Sequence, residues 1–252
     1  MSPERRDGPP PRRPYRPTRP PEPTGPEPEG GPWEIRAADE VLGELLAGRI
    51  PGGPHIVAVD GRGGAGKSTL VTRLARLATE RGLLTGVVHT DDVAWHHSFF
   101  DWDRLFRRAV LEPAALARGV AYVPPAWRER RRPGSITVPE GCELLLVEGT
   151  GAVRRSLSDL YDAAVWVQSD AGTARTRLRA RDGDTPEIRA FVAEWDREER
   201  PLMAAERPWE AADVIVLGTP DPAPPHGELV TAHRPIRPGA RRPAAPVERP
   251  GG

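Results

Sequence analysis

Gly61-Arg62-Gly63-Gly64-Ala65-Gly66-Lys67-Ser68-Thr69 completes the pattern G-x-x-x-x-G-K-[ST], a phosphate-binding loop that joins a strand to a helix. Its glycines let successive backbone N–H groups turn inward onto phosphate oxygens, aided by the N-terminus of the helix that follows. Lysine in such a loop reaches the β- and γ-phosphates, and the hydroxyl after it ligates Mg²⁺. Composition sharpens this reading. The chain has 36 lysines and arginines, and Lys67 is the single lysine among them. Arginine serves on surfaces and in ion pairs, but its broad planar fork does not replace a slim ammonium between two phosphates. The lysine that remains is the one whose geometry arginine does not meet, which points to a nucleoside triphosphate.

The flanking sequence supplies the context this motif requires. His55-Ile56-Val57-Ala58-Val59-Asp60 is a short apolar run closed by glycine, as expected of a buried parallel strand. Ser68 to about Arg81 reads as a helix whose apolar face is Leu70, Val71, Leu74, Ala75, Leu77 and Ala78, with Gly82 as its stop. Four more apolar runs follow, at Gly86–Thr90, Glu143–Val147, Ala163–Val167 and Ala212–Leu217, with a helical stretch over Thr185–Ala205 between the last two. Short buried strands alternating with helices predict an α/β protein with a P-loop NTPase fold: a five-stranded parallel sheet with helices on both faces. Trp33–Ala47 reads as an extra amphipathic helix ahead of it.

Ligands of such sheets bind beyond the carboxyl ends of the strands, and the chemistry-bearing residues gather there. Asp91 and Asp92 follow the second apolar run; a phosphoryl-transfer site needs a carboxylate to orient an acceptor hydroxyl and take its proton. Asp91, nearer the strand, is the candidate base, while Asp92 could cap the next turn. Glu148 ends the most apolar run and is a candidate for the metal or the acceptor. Arg175, Arg177, Arg179 and Arg181 recur at every second residue, either as a solvated charge run or as a lid over the transferred phosphate. Arg128, Arg130, Arg131 and Arg132 form a second cluster, in a loop before Pro133-Gly134, suited to an acidic acceptor or to solvent. His96-His97 has no third ligand at useful spacing, so a metal site there is weakly supported. Trp95, Trp102 and Trp127 cluster in the segment expected to cover the acceptor, where core or lid packing is their default role and base or ring stacking the alternative.

The ends of the chain differ from this core. Residues 1–32 are dense in Pro, Arg, Glu and Gly, with Tyr15 their single aromatic, and 218–252 are rich in Pro, Ala and Arg, so both are expected to be disordered around a domain at 33–217. Formal net charge is zero, from 36 acidic and 36 basic residues, which speaks against a nucleic-acid partner; the Arg5-Arg6, Arg12-Arg13 and Arg241-Arg242 pairs read as solvated charge. Cys142 is the one cysteine, which rules out an internal disulfide and suits a reducing compartment. No apolar run approaches the roughly 20 residues of a membrane span. The expectation is a soluble cytoplasmic protein whose partner is a small molecule.

These motifs resemble those of the uridine kinase-like branch of the phosphate-loop kinases, which also holds phosphoribulokinase and pantothenate kinase relatives. The resemblance runs from His55 to Leu217. Thr90-Asp91-Asp92 is similar to that family's Asp-Asp-Phe-Tyr segment, whose first acid is the catalytic base. Phe100-Asp101-Trp102-Asp103 resembles its acidic stretch ahead of a helix, and Leu116-Ala117-Arg118-Gly119 through Val123-Pro124-Pro125 its helix–glycine–proline passage. Leu146-Val147-Glu148-Gly149 looks like its Val-Glu-Gly strand end, and Arg179-Ala180-Arg181-Asp182 like the start of its arginine lid. Trp209 to Asp213 resembles the passage into the last strand. Val93-Ala94 replaces Phe-Tyr, Arg128 stands in place of an aspartate, and the lid lacks the usual following Arg-Gly pair. The Arg128 substitution suggests a more anionic acceptor.

The resemblance implies an ATP- and Mg²⁺-dependent kinase acting on a hydroxyl of a nucleoside or sugar-like alcohol. Gly61, Gly63, Gly64, Ala65, Gly66, Lys67, Ser68 and Thr69 would hold the nucleotide, and Ser68, Asp91 and Glu148 the metal. Lys67, Asp91, Glu148, Arg179 and Arg181 would carry the chemistry. The altered acceptor region leaves an alternative, a nucleotide-binding regulatory or scaffold protein with a degenerate kinase site and the tails as interaction arms.

Overall fold

The computed structural model describes residues 12–50 and 52–232. Among the described residues the strands are β1 (Arg13–Tyr15), β2 (Trp33–Ala37), β3 (His55–Asp60), β4 (Thr85–His89), β5 (Val120–Tyr122), β6 (Ile136–Val138), β7 (Leu144–Glu148), β8 (Ala163–Gln168), β9 (Val214–Leu217) and β10 (Glu228–Ala232). The main sheet has eight strands in the order β1-β2-β10-β9-β8-β3-β7-β4, and β5 and β6 form a separate antiparallel ribbon. Strands β9, β8, β3, β7 and β4 are mutually parallel and coincide with the five apolar runs of the sequence.

Alternation along the central strands builds two cores. Ile56, Ala58, Leu145 and Val147 face one way, against Val88, Trp102, Phe106, Val110 and Leu111. Val57, Val59, Leu144 and Leu146 face the other, against Leu70, Val71 and Leu74 of the helix Lys67–Glu80 and Val41, Leu42 and Leu45 of the helix Ala38–Leu45. Successive side chains of a strand point to opposite faces, so a continuous apolar run is what a doubly covered sheet demands. The helical layer of the first core, 103–115, contains a π-helical turn at Arg107–Leu111.

The five-stranded expectation is thus corrected to eight. Strands β2 and β10 pair antiparallel, β10 pairs antiparallel with β9, and β1 pairs with β2. Two of the added strands, β1 and β10, come from the segments 12–32 and 218–232 outside the expected domain at 33–217. Trp33–Ala37, expected to be helical, is a strand; the helix begins only at Ala38. The physical reason is that little apolar area is needed here. Tyr15 lies opposite Trp33, and both join Trp166, Trp209, Ile215 and Val230 in a third small core. Backbone pairing satisfies the strand edges, while Arg13 pairs with Glu228 at 2.5 Å and Arg36 with Glu40 at 2.9 Å. Composition alone does not register either contribution. Residues 1–11 and 233–252, with the Arg5-Arg6 and Arg241-Arg242 pairs, lie outside the described residues.

Among the described residues, no helix is long and apolar enough to cross a membrane.

Candidate active site

The carboxyl ends of the parallel strands open into a cleft of about 1350 Å³. The phosphate loop follows β3 and runs directly into the helix Lys67–Glu80. Its tight turn depends on glycine. Gly64 has φ of +76°, and a Cβ there would stand 2.2 Å from the carbonyl oxygen of Ala174. Ala65 is fully buried in the core beneath the loop, while Gly63, Gly64, Gly66, Lys67, Ser68 and Thr69 line the cleft. Gly61 is at the root of the loop, where its carbonyl accepts the hydroxyl of Thr150 at 3.1 Å.

Lys67 Nζ donates to the carbonyls of Gly61 at 2.8 Å and Arg62 at 3.0 Å, and to Thr150 Oγ1 at 3.2 Å. These contacts hold the ammonium at the loop's mouth and leave it facing the cleft. Beneath the loop, the buried carboxyl of Asp60 accepts from the backbone N–H groups of Gly61, Gly151 and Val153 at 2.7–2.9 Å. Burial nevertheless pushes Asp60 up to about 6, those N–H groups and Lys67 only partly opposing it. Asp60 ties the phosphate loop to the segment after β7, which is a structural task.

Glu148, at the end of β7, faces the loop from the neighbouring strand. Its Oε1 accepts the Ser68 hydroxyl at 3.1 Å and lies 2.6 Å from Nδ1 of His89. Burial works against its charge, but the His89 hydrogen bond, Lys67 and Ser68 outweigh it and hold the carboxyl below the usual range. Glu148 Oε2 is buried and has no hydrogen-bond partner among the described residues. Gly149 lets β7 end here, since a Cβ on it would fall 1.8 Å from Thr90 Oγ1.

The two aspartates part company. Asp91 lines the cleft, and desolvation by the surrounding wall pushes its carboxyl above the ordinary range, with Lys67 and Arg181 opposing and Glu148 reinforcing. Asp92 does not line the cleft; its Oδ1 accepts from Arg132 Nη2 at 2.7 Å. Arg132 in turn lies over the ring of Trp127 at 3.6 Å, and Trp127 Nε1 donates to the carbonyl of Asp92 at 2.9 Å. Asp92 therefore anchors the short helix Thr90–Ala94 to the helix Pro125–Glu129 and the residues after it.

The arginines also divide. The run forms a helix, Ala171–Asp182, in which residues four apart share a face. Arg177 and Arg181 line the cleft. Arg179, expected in the lid, is exposed beside Asp184 at 3.7 Å, and Arg175 faces Asp196 at 3.5 Å. Arg128 is exposed and does not line the cleft, so the suggestion of an anionic acceptor loses its support. Trp95, His96, His97 and Phe99 form the wall on the Asp91 side, together with Phe191 and Trp195 of the helix Pro186–Glu206. Trp102 and Trp127 are buried in the core.

Sequence reading missed His89 and Thr150 as site residues, and it named Arg177 in the arginine run without counting it among the residues that carry the chemistry. Arg177 was legible in its four-residue spacing from Arg181. The positions of His89 and Thr150 flank named site residues, but their partners come from another strand and from the phosphate loop.

The donor set fits a hard divalent cation shared with phosphate oxygens: a hydroxyl from Ser68, carboxylates from Glu148 and Asp91, and one buried Glu148 oxygen unspent. No group of three or more His, Cys, Asp or Glu side chains suited to a metal occurs among the described residues.

No family model and no curated protein matches the chain. Solved structures do. A candidate uridine kinase from Bacillus stearothermophilus superposes with a TM-score of 0.52 at 19% identity, covering 71% of this chain and 96% of that one. A candidate fructose transport system kinase from Silicibacter sp. TM1040 gives a TM-score of 0.52 at 21% identity, covering 67% and 94%. The likeness is one of fold, shared with these two candidate kinases.

Proposed function

We propose that this chain is a small-molecule kinase that moves the terminal phosphoryl group of ATP to a hydroxyl of a nucleoside or sugar-like alcohol. One observation carries the reading: Lys67, Ser68, Glu148, Asp91 and Arg181, drawn from the phosphate loop, two other strand ends and a helix, meet in a single cleft. The fold likeness to candidate kinases supports it without naming the acceptor.

In this reading the loop N–H groups and Lys67 take up the charge of the β- and γ-phosphates. Mg²⁺, held by Ser68, Glu148 and Asp91, supplies further charge neutralisation when bound. Asp91 orients the acceptor hydroxyl and receives its proton as the acceptor oxygen bonds to the γ-phosphorus and the bond to the β,γ-bridging oxygen breaks, releasing ADP. Burial, which raises its pKa, makes it a stronger proton acceptor than an exposed aspartate. Arg177 and Arg181 steady the equatorial oxygens of the group in transfer.

The test is turnover of MgATP against a panel of nucleosides, sugars, pantothenate and related alcohols, with product identified by mass. A phosphorylated acceptor that vanishes in Lys67→Ala and Asp91→Ala supports the assignment. Tight nucleotide binding with no acceptor-dependent product would move the assignment to a nucleotide-binding regulatory protein.

A further inference from the structure

The segment between β1 and β2, expected to be disordered, passes against the phosphate loop before it enters β2. Along its course Thr18 N–H donates to the carbonyl of Asp221 at 2.7 Å, and Tyr15 Oη donates to that of Pro222 at 2.8 Å. Glu22 N–H then reaches Asp170 Oδ2 at 3.2 Å, and its carbonyl accepts Ala171 N–H at 3.1 Å, at the start of the arginine helix. At its far end Thr24 Oγ1 accepts from Arg62 Nη1 at 2.7 Å, and the carboxylate of Glu27 pairs with Arg62 Nη2.

That last contact is buried. The Glu27 side chain is 1% exposed and that of Arg62 12%. Arg62 is also the residue whose carbonyl accepts Lys67 Nζ at 3.0 Å and Ala65 N–H at 3.1 Å. Its backbone is thus part of the bonding that shapes the loop and holds the lysine. The next residue is tethered as well, Gly63 N–H donating to Glu199 Oε1 at 3.3 Å. A buried guanidinium without a counter-charge is strongly disfavoured; Glu199 and Asp196 lend Arg62 charge from nearby, and Glu27 is the carboxylate that pairs with it directly.

We propose that Glu27 is a positioning residue of the nucleotide site: it fixes Arg62, and through Arg62 it pre-sets the phosphate loop to receive a polyphosphate. The inference rests on the kinase reading of that loop. Holding the loop in its binding shape before the nucleotide arrives removes an ordering cost from association. The N-terminal arm therefore belongs to the site, although none of its residues lines the cleft.

The experiment measures the dissociation constant of a fluorescent ATP analogue with Mg²⁺ on the full chain, with thermal unfolding followed in parallel. The variants are Glu27→Ala, Glu27→Gln, Arg62→Ala and the double Glu27→Ala/Arg62→Ala. Glu27→Ala is expected to weaken nucleotide binding on the order of tenfold, with Glu27→Gln recovering part of the loss. The double variant is expected to remain weak, because the pre-set loop is lost even though both partners of the Glu27–Arg62 pair are removed together. Should Glu27→Ala fail to fold, Glu27→Gln and the double variant carry the test. Undiminished affinity in Glu27→Ala, or wild-type affinity in the double variant, overturns the proposal, since the pair would then serve only to match charges. Wild-type protein that binds no nucleotide would instead overturn the kinase reading and this inference with it.

Discussion

Nδ1 of His89 lies 2.6 Å from Oε1 of Glu148, the oxygen that also accepts the Ser68 hydroxyl. One carboxylate oxygen thus links β4, β7 and the helix that follows the phosphate loop, while the second is buried without a hydrogen-bond partner among the described residues. The hydrogen bond from His89 to Glu148 raises the histidine's pKa, and the same bond helps lower that of the glutamate.

The sign of the resulting pH dependence follows. A raised histidine stabilises the fold fully below its ordinary value of about 6.5 and loses that contribution as pH rises through its folded value. A lowered glutamate contributes above its ordinary value of about 4.3 and loses it as pH falls through its folded value. The pair is strongest between those limits. His89→Ala is expected to cost about 0.5–1 kcal/mol at mildly acidic pH, discounted for a histidine half open to solvent, and less at alkaline pH. Urea unfolding of both proteins at the two pH values tests this; an equal cost at both would remove the ion pair from the account.

Asp91 and Asp92, adjacent in sequence, are expected to fail in opposite ways. Asp91→Asn should lower turnover on the order of 10²–10⁴-fold with little change in stability, as loss of a general base does. Asp92→Asn should leave more than a tenth of turnover and lower stability by about 1 kcal/mol, because it weakens the half-exposed pair with Arg132. Steady-state kinetics beside thermal melts separate them, and a reversed pattern would exchange their roles.

Within the arginine helix, replacement of Arg181 by alanine is expected to cost at least tenfold in turnover, since it faces the cleft. Arg179→Ala should change turnover less than twofold, its nearest acidic neighbour being Asp184 on the outer surface. Measured losses of equal size would mean that the helix turns when nucleotide binds.

Gly149→Ala is expected to destabilise the protein by more than about 3 kcal/mol, because the new methyl group overlaps Thr90 and neither strand end can retreat without disturbing Glu148. Chemical denaturation would show this directly. A variant as stable as wild type would contradict the close approach of β7 to Thr90.

Local sequence determined the parallel centre of this protein. The phosphate loop, the fully apolar β3, and the helix from Lys67 to Glu80 each announce themselves within a window of fewer than twenty residues. Apolar runs are legible because a strand covered on both faces has no polar side, and the loop is legible because phosphate binding permits few alternatives to glycine and lysine. Long-range pairing decided the rest. Nothing local in Arg13–Tyr15, Trp33–Ala37 or Glu228–Ala232 says that these segments pair with one another, since their stability comes from backbone bonds and ion pairs closed over large separations in sequence. The same holds for the site. Sequence places Asp91, Glu148 and the arginines at strand ends or on a helix. Only the tertiary structure turns Asp92 toward Arg132, sets Arg179 outside the cleft, brings His89 to Glu148, and sends Glu27 back to Arg62. Each of those outcomes depends on which neighbour a side chain meets, and that neighbour comes from a distant part of the chain.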